Sequence, residues 1–249
     1  MDYDAPTLAF VGLAFFVSGV VKGATGLGYA TSCIPMLALV LGIKTALPLV
    51  LAPSVASNFT LLVSTGPVLP TIRRFWPMLL LAPVGVFLGA ALLGSVDGAT
   101  AGAALGAALI AWCAFSFRRM DWRLPPQLER PLAPAVGFST GLVNGLTGSQ
   151  VMPLAPFVMA LGLAPAMLIQ VMNLSFTISS AAMATALTRI GLMTVPAAAV
   201  SLAGVALSVG GVRLGSRVRR RLPETTFRRA ILVVLTVAGA ALIVKGLWS

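Results

Sequence analysis

Two glycine-rich breaks interrupt a chain that is otherwise almost continuously apolar, and they constrain its fold more than any other feature. The first reads Gly19-Val-Val-Lys-Gly23-Ala-Thr25-Gly26-Leu-Gly28 and is followed, at Pro35, by an apolar run to Gly42. The second reads Gly141-Leu-Val-Asn-Gly145-Leu-Thr147-Gly148-Ser-Gln150 and is followed, at Pro153, by an apolar run to Gly162. Each glycine costs a helix about 1 kcal/mol relative to alanine. A break facing lipid would cost several kcal/mol for every unpaired backbone group, so such breaks survive only against protein or a water-filled cavity. Interrupted segments at matching places in two halves mark the binding site of a secondary transporter.

Composition makes the surroundings a bilayer. Of 249 residues, 58% are hydrophobic and 9% charged, whereas soluble domains carry about 25% charged residues. A spanning helix takes about 20 apolar residues, which leaves room for about eight to ten segments and no soluble domain. The net charge of +11 sits mostly at Arg73 and Arg74, in 118–130 and in 213–229, between apolar runs. That distribution follows the positive-inside rule and points to membrane orientation, with no nucleic-acid partner. The run from Arg217 to Arg229 is topological, with anionic membrane lipids as a secondary contact. Cys33 and Cys113 lie within apolar runs and there is no histidine. No disulfide framework, metal site or cofactor is therefore expected. Met1-Asp-Tyr-Asp has no positive n-region, so the first apolar run reads as a retained helix.

The expected fold is an all-α polytopic membrane protein with one transmembrane domain over 1–249. Apolar runs fall at 7–21, 29–41, 45–63, 77–93 and 99–117, then at 132–143, 153–161, 165–187, 195–212 and 230–247. Repeat one thus covers 7–117, a basic loop covers 118–131 and repeat two covers 132–248. With the basic loops cytoplasmic, the acidic N-terminus, the Asp97 turn and the C-terminus lie outside, and Arg189 stays outside against the rule. The first half then starts outside and the second inside. That arrangement is two inverted-topology repeats of about four spanning helices each, with a Gly/Pro-interrupted discontinuous or re-entrant segment in each half. Gly85-x-x-x-Gly89 and Gly98-x-x-x-Gly102-x-x-x-Gly106 read as close-packing faces. The second face serves either packing within one chain or a homodimer.

The six acidic residues, Asp2, Asp4, Asp97, Asp121, Glu129 and Glu224, lie at a terminus or in an expected loop. Without an intramembrane carboxylate or histidine there is no ordinary proton relay or cation site. An anion is the natural cargo, held by backbone N–H groups at half-helix N-termini. Candidate binding residues are Lys22, Thr25, Gly26, Gly28 and Asn58 in the first half, and Thr147, Gly148, Ser149, Gln150 and Asn173 in the second. Each has a plainer reading. Gly19-x-x-x-Gly23 and Gly141-x-x-x-Gly145 serve equally for helix crossing, and Asn58 and Asn173 for bonding between helices. Lys22, whose counterpart is Asn144, reads equally as a snorkelling cation. Lys44 reads as an interfacial anchor, and Gln170 is a further amide candidate.

At these residues the chain resembles the sulfite exporter TauE/SafE family, in the toluene sulfonate uptake permease superfamily. The resemblance rests on Lys22-Gly-Ala-Thr-Gly-Leu-Gly28 with Pro35, and on Asn144-Gly-Leu-Thr-Gly-Ser-Gln150 with Pro153. Asn58 and Gln170-Val-Met-Asn173 agree as well, and the likeness spans essentially the whole chain. Ser149 and Gln150 stand where the family usually has further glycines. The resemblance implies a transporter in the bacterial inner membrane that moves a small sulfur-containing anion, such as sulfite, sulfoacetate or another organosulfonate. An exporter working by alternating access is expected. Other readings are an anion channel, an uptake permease for organic carboxylates and a non-transporting assembly subunit. An enzyme is not expected, since the nucleophile–base pairs or metal clusters of intramembrane catalysis have no residues here beyond Lys22.

Overall fold

A computed structural model describes residues 4–26, 28–118, 123–219 and 224–248. Among these residues there are ten helices and no strand: α1 Ala5–Thr25, α2 Tyr29–Leu41, α3 Ile43–Leu62, α4 Leu69–Ser95, α5 Gly98–Phe117, α6 Pro126–Thr147, α7 Leu154–Ala160, α8 Pro165–Arg189, α9 Val195–Arg219 and α10 Glu224–Leu247. Six of them, α1, α3, α4, α5, α8 and α9, are long and apolar enough to cross a membrane. The chain is a multi-pass membrane protein.

Local chemistry explains where the helices begin and end. The Asp4 carboxylate accepts from the Thr7 amide at 3.2 Å and Asp97 from the Thr100 amide at 2.7 Å, capping α1 and α5. The Thr100 amide and hydroxyl hold the Asp97 carboxyl below the usual carboxylate range. Pro126 opens α6 in the first turn, where its missing N–H costs nothing.

Several helices run further than the apolar runs suggest. α1 continues through Lys22 and Gly23 to Thr25, and α6 begins at Pro126, so Glu129, Arg130 and Pro131 stand on its first turns rather than in the connecting loop. α9 continues to Arg219 and α10 begins at Glu224, which puts Arg213 and Arg217 on a helix as well. On α6 and α9 Arg130, Arg213 and Arg217 are exposed, and backbone hydrogen bonding carries a helix past its last apolar residue where such side chains reach water or headgroups. Arg119, Asp121 and residues 220–223 lie outside the described residues.

Helix pairing is set by small residues. A Cβ on Gly19 or Gly23 of α1 would run into the α9 backbone at Ser208, Gly211, Val212 and Ser216. Gly85 and Gly89 of α4 abut α6 at Phe138, Gly141, Leu142 and Gly145 in the same way. Sequence numbers rise together along both contacts, so α1 runs parallel to α9 and α4 to α6. Gly106 of α5 meets Gly239 and Ile243 of α10, whereas Gly246 meets Ala99 and Ala103, so this pair is antiparallel. Part of the Gly98–Gly106 face is thus used within the chain. α3 and α8 pack together at the centre, α3 also against α9 and α8 against α4. Along α4, Ile72, Trp76, Leu80, Val84, Leu88 and Leu92 are exposed at every fourth position, an apolar stripe of the kind that faces lipid.

Candidate functional site

Each glycine cluster divides into two parts. Its Gly-x-x-x-Gly half is buried against a neighbouring helix, as described above. Its Thr-Gly half ends a helix: Gly26 and Gly148 sit in the left-handed region at φ +80° and +74°, where a side chain is strained. Their amides return to the carbonyls of Lys22 at 2.7 Å and Asn144 at 2.6 Å. The plainer reading of the clusters thus describes their first halves, and a helix ends at the second half of each.

Beside the first break lies a cavity of about 10 Å³ lined by Lys22, Gly28, Tyr29, Ala30, Thr31, Ser54, Asn58, Gln150 and Phe176. It draws on α1, the start of α2, α3, the turn after α6, and α8. A space of about 10–15 Å³ on this measure holds one water molecule. Gly28 precedes α2 at φ +87° with no side-chain cap. The first-turn residues Tyr29, Ala30 and Thr31, whose amides have no acceptor within the helix, all line the cavity.

Lys22 is the dominant charge. It is 1% exposed, so it does not snorkel. Its ammonium donates to Asn58 Oδ1 and lies 6.0 Å from the centre of the Phe176 ring. Among the described residues the one ion pair is Arg74–Glu129, at the end of α4. No carboxylate among the described residues therefore compensates Lys22. A buried charge without a counter-ion costs several kcal/mol, and Asn58 and an aromatic ring recover only part of that. The Asn58 amide nitrogen is itself buried without a partner.

From the second cluster only Gln150 reaches this cavity, and its Nε2 donates to Ser180 Oγ at 3.0 Å. No second helix N-terminus joins it: α7 begins at Leu154 after Pro153, with no side-chain cap, and neither residue lines the cavity. The other candidates stand apart from the cavity. Thr25 donates its hydroxyl to the Val21 carbonyl at 2.9 Å and Thr147 to the Val143 carbonyl at 2.6 Å. Both bond back along their own helix, the ordinary use of threonine there. Gly26 and Gly148 serve as helix ends. Ser149 Oγ and Asn173 Oδ1 are buried without partners, while Asn173 Nδ2 donates to the Ile169 carbonyl at 2.8 Å. Gln170 is a clasp: it accepts from Thr71 Oγ1 at 2.5 Å and donates to the Thr65 carbonyl at 3.0 Å.

Thr31, Ser54, Tyr29 and Phe176 line the cavity without having been singled out from the sequence. Ser54 and Asn58 are polar residues four apart in an apolar run, a pattern that was available to find them. Phe176 carries no such signal.

Aligning the two breaks at Gly26 and Gly148 places Lys22 on Asn144, Gly28 on Gln150 and Asn58 on Ser180. Ser180, not Asn173, thus stands at the position that matches Asn58. The two bonded pairs, Lys22–Asn58 and Gln150–Ser180, both tie a break to the following long helix.

Compared with known proteins, the chain matches the family described as sulfite exporter TauE/SafE over residues 11–242. No curated protein and no solved structure matches it.

Proposed function

The chain belongs to the sulfite exporter TauE/SafE family, and on that premise we propose that it is a secondary transporter of a small sulfur-containing anion. Sulfite, sulfoacetate or another organosulfonate would be carried across the cell membrane, in the direction of export. The observation that carries this reading is Lys22, a buried cation with no carboxylate partner among the described residues, beside the uncapped first turn of α2. Ammonium, orphan amides and the helix dipole all favour a compact oxyanion at one point. Asn58 and Gln150 supply amide hydrogens for its remaining oxygens.

Alternating access is the mechanism that fits. The cavity holds about one water molecule, and even sulfite is larger, so binding requires the helices around it to separate. A space this small does not conduct anions and favours a carrier over a channel. The exchanged pairings, α1 with α9 and α6 with α4, support two halves that swap their long helices. The directions agree: α6 parallels α4, α10 opposes α5, and α1 parallels α9, so α1 and α6 run oppositely if α9 and α10 form a hairpin. Opposed directions of this kind support inverted repeats.

The test is counterflow in proteoliposomes with radiolabelled sulfite, sulfoacetate and simple carboxylates. Saturable exchange of a sulfur anion is expected; exchange of carboxylates alone, or conductance without saturation, would sink the proposal. In the same assay Gln150→Ala is expected to weaken half-saturation by about tenfold, the worth of one hydrogen bond to a charged group. Thr25→Val is expected to change it less than threefold, since the hydroxyl bonds its own helix. An equal loss in both variants would move the binding site towards the helix end.

A further inference from the structure

Away from the central cavity, the ends of α4 and α6 enclose a second space of about 700 Å³. Arg73, Arg74, Trp76, Gln127, Glu129 and Arg130 supply its polar and aromatic walls. Glu129 holds Arg74 through two bonds of 2.6 Å, Nε to Oε1 and Nη2 to Oε2. These two charges cancel and tie the helix ends together. Arg73 and Arg130 are exposed and bond no described residue. Two uncompensated guanidinium groups therefore face one space.

We propose that this space binds the phosphate of an anionic phospholipid. Arg73 and Arg130 take its oxygens, and the acyl chains descend along Trp76, Leu80 and Val84. Planar guanidinium groups match phosphate oxygens in pairs. Trp76, 57% exposed, lines the space and belongs to the exposed stripe that continues through Leu80 and Val84. Tryptophan prefers the headgroup level of a bilayer. A soluble phosphate offers the same charge but has no use for that stripe, and this favours a lipid. Because Arg74–Glu129 joins α4 to α6, a lipid seated here grips the ends of two helices that pack along their whole shared length. The proposal is independent of the anion carried at Lys22.

The experiment uses the full chain in phosphatidylcholine nanodiscs, with tryptophan fluorescence quenched by brominated phosphatidylglycerol or brominated phosphatidylcholine. Phosphatidylglycerol is expected to quench at a several-fold lower mole fraction, and Trp76→Phe to remove most of that difference. The double variant R73Q/R130Q is expected to raise the phosphatidylglycerol midpoint by about tenfold, given the attraction of basic residues for anionic headgroups. Arg217→Gln, an exposed cation elsewhere, is expected to leave it unchanged. Equal quenching by both lipids, or an unchanged midpoint in the double variant, would overturn the site. A matching shift in Arg217→Gln would reduce it to general surface charge. Restoration of fluorescence by millimolar inorganic phosphate would reassign it to a soluble anion. Should the double variant not fold, Arg130→Gln alone is expected to raise the midpoint about threefold, and no change would refute the proposal.

Discussion

Lys22→Met is expected to abolish anion binding while leaving the empty protein at least as stable as the parent. The two halves of that result have different causes. Removing one member of a buried, hydrogen-bonded charge pair costs about 2–5 kcal/mol, or roughly thirtyfold and upward in affinity. The anion would face orphan amides alone. In the empty protein the same ammonium is a liability, because among the described residues Asn58 is its one hydrogen-bond partner and no carboxylate is near. A methionine of similar length removes that desolvation cost and leaves Asn58 unpaired, so the two effects offset. Thermal unfolding in detergent, with and without sulfite or sulfoacetate, reads both. The parent is expected to gain about 2.7 kcal/mol of apparent stability at a hundredfold excess of ligand over its dissociation constant, and Lys22→Met nothing. A large fall in the melting temperature of empty Lys22→Met would make the lysine a structural member instead.

Gly141→Val is expected to remove folded protein from the membrane. A Cβ there lands on the Ala82 carbonyl group and stands 2.9 Å from the Val86 amide nitrogen. Both are α4 backbone, which cannot rotate aside. Relief requires α6 to move away from α4, opening the contact also made by Gly85, Gly89, Gly137 and Gly145. Overpacking in a side-chain core costs about 1–3 kcal/mol, and a clash with main chain along a whole crossing exceeds that. Gly210→Ala is the control. It lies in α9 with nothing within 4 Å of a new Cβ, so a gain of about 0.5–1 kcal/mol is expected from helix propensity. Monodisperse yield after solubilisation distinguishes the two. Equal yields would mean that the α4–α6 contact tolerates separation.

The clusters also show why the candidate site was only partly legible. Thr25 and Thr147 have the composition of anion donors, but a helical threonine can satisfy its hydroxyl on the carbonyl one turn earlier, and both do. Gln150 and Asn58 are amides of the same kind, yet they come together because α3 and α8 bring distant turns to the first break. Spacing along the chain identifies which residues are unusual for a membrane helix; it does not say which way each one faces. The second break was expected to offer a helix N-terminus like the first, but the start of α7 does not line the cavity and the second break contributes Gln150 instead.

The sequence by itself determined the bilayer setting, the all-helical class and the two breaks. These follow from apolar content and from glycine and proline, whose backbone effects are local. It also made an anion the expected cargo, because the acidic residues lie outside the apolar runs. Only the tertiary structure decided that Lys22 is buried rather than reaching for the headgroups, and that its partner is Asn58. It alone placed α9 against α1 and α6 against α4. Those outcomes depend on which small residues meet across helices far apart in the chain, and helices of equal hydrophobicity are told apart only by how closely their backbones approach.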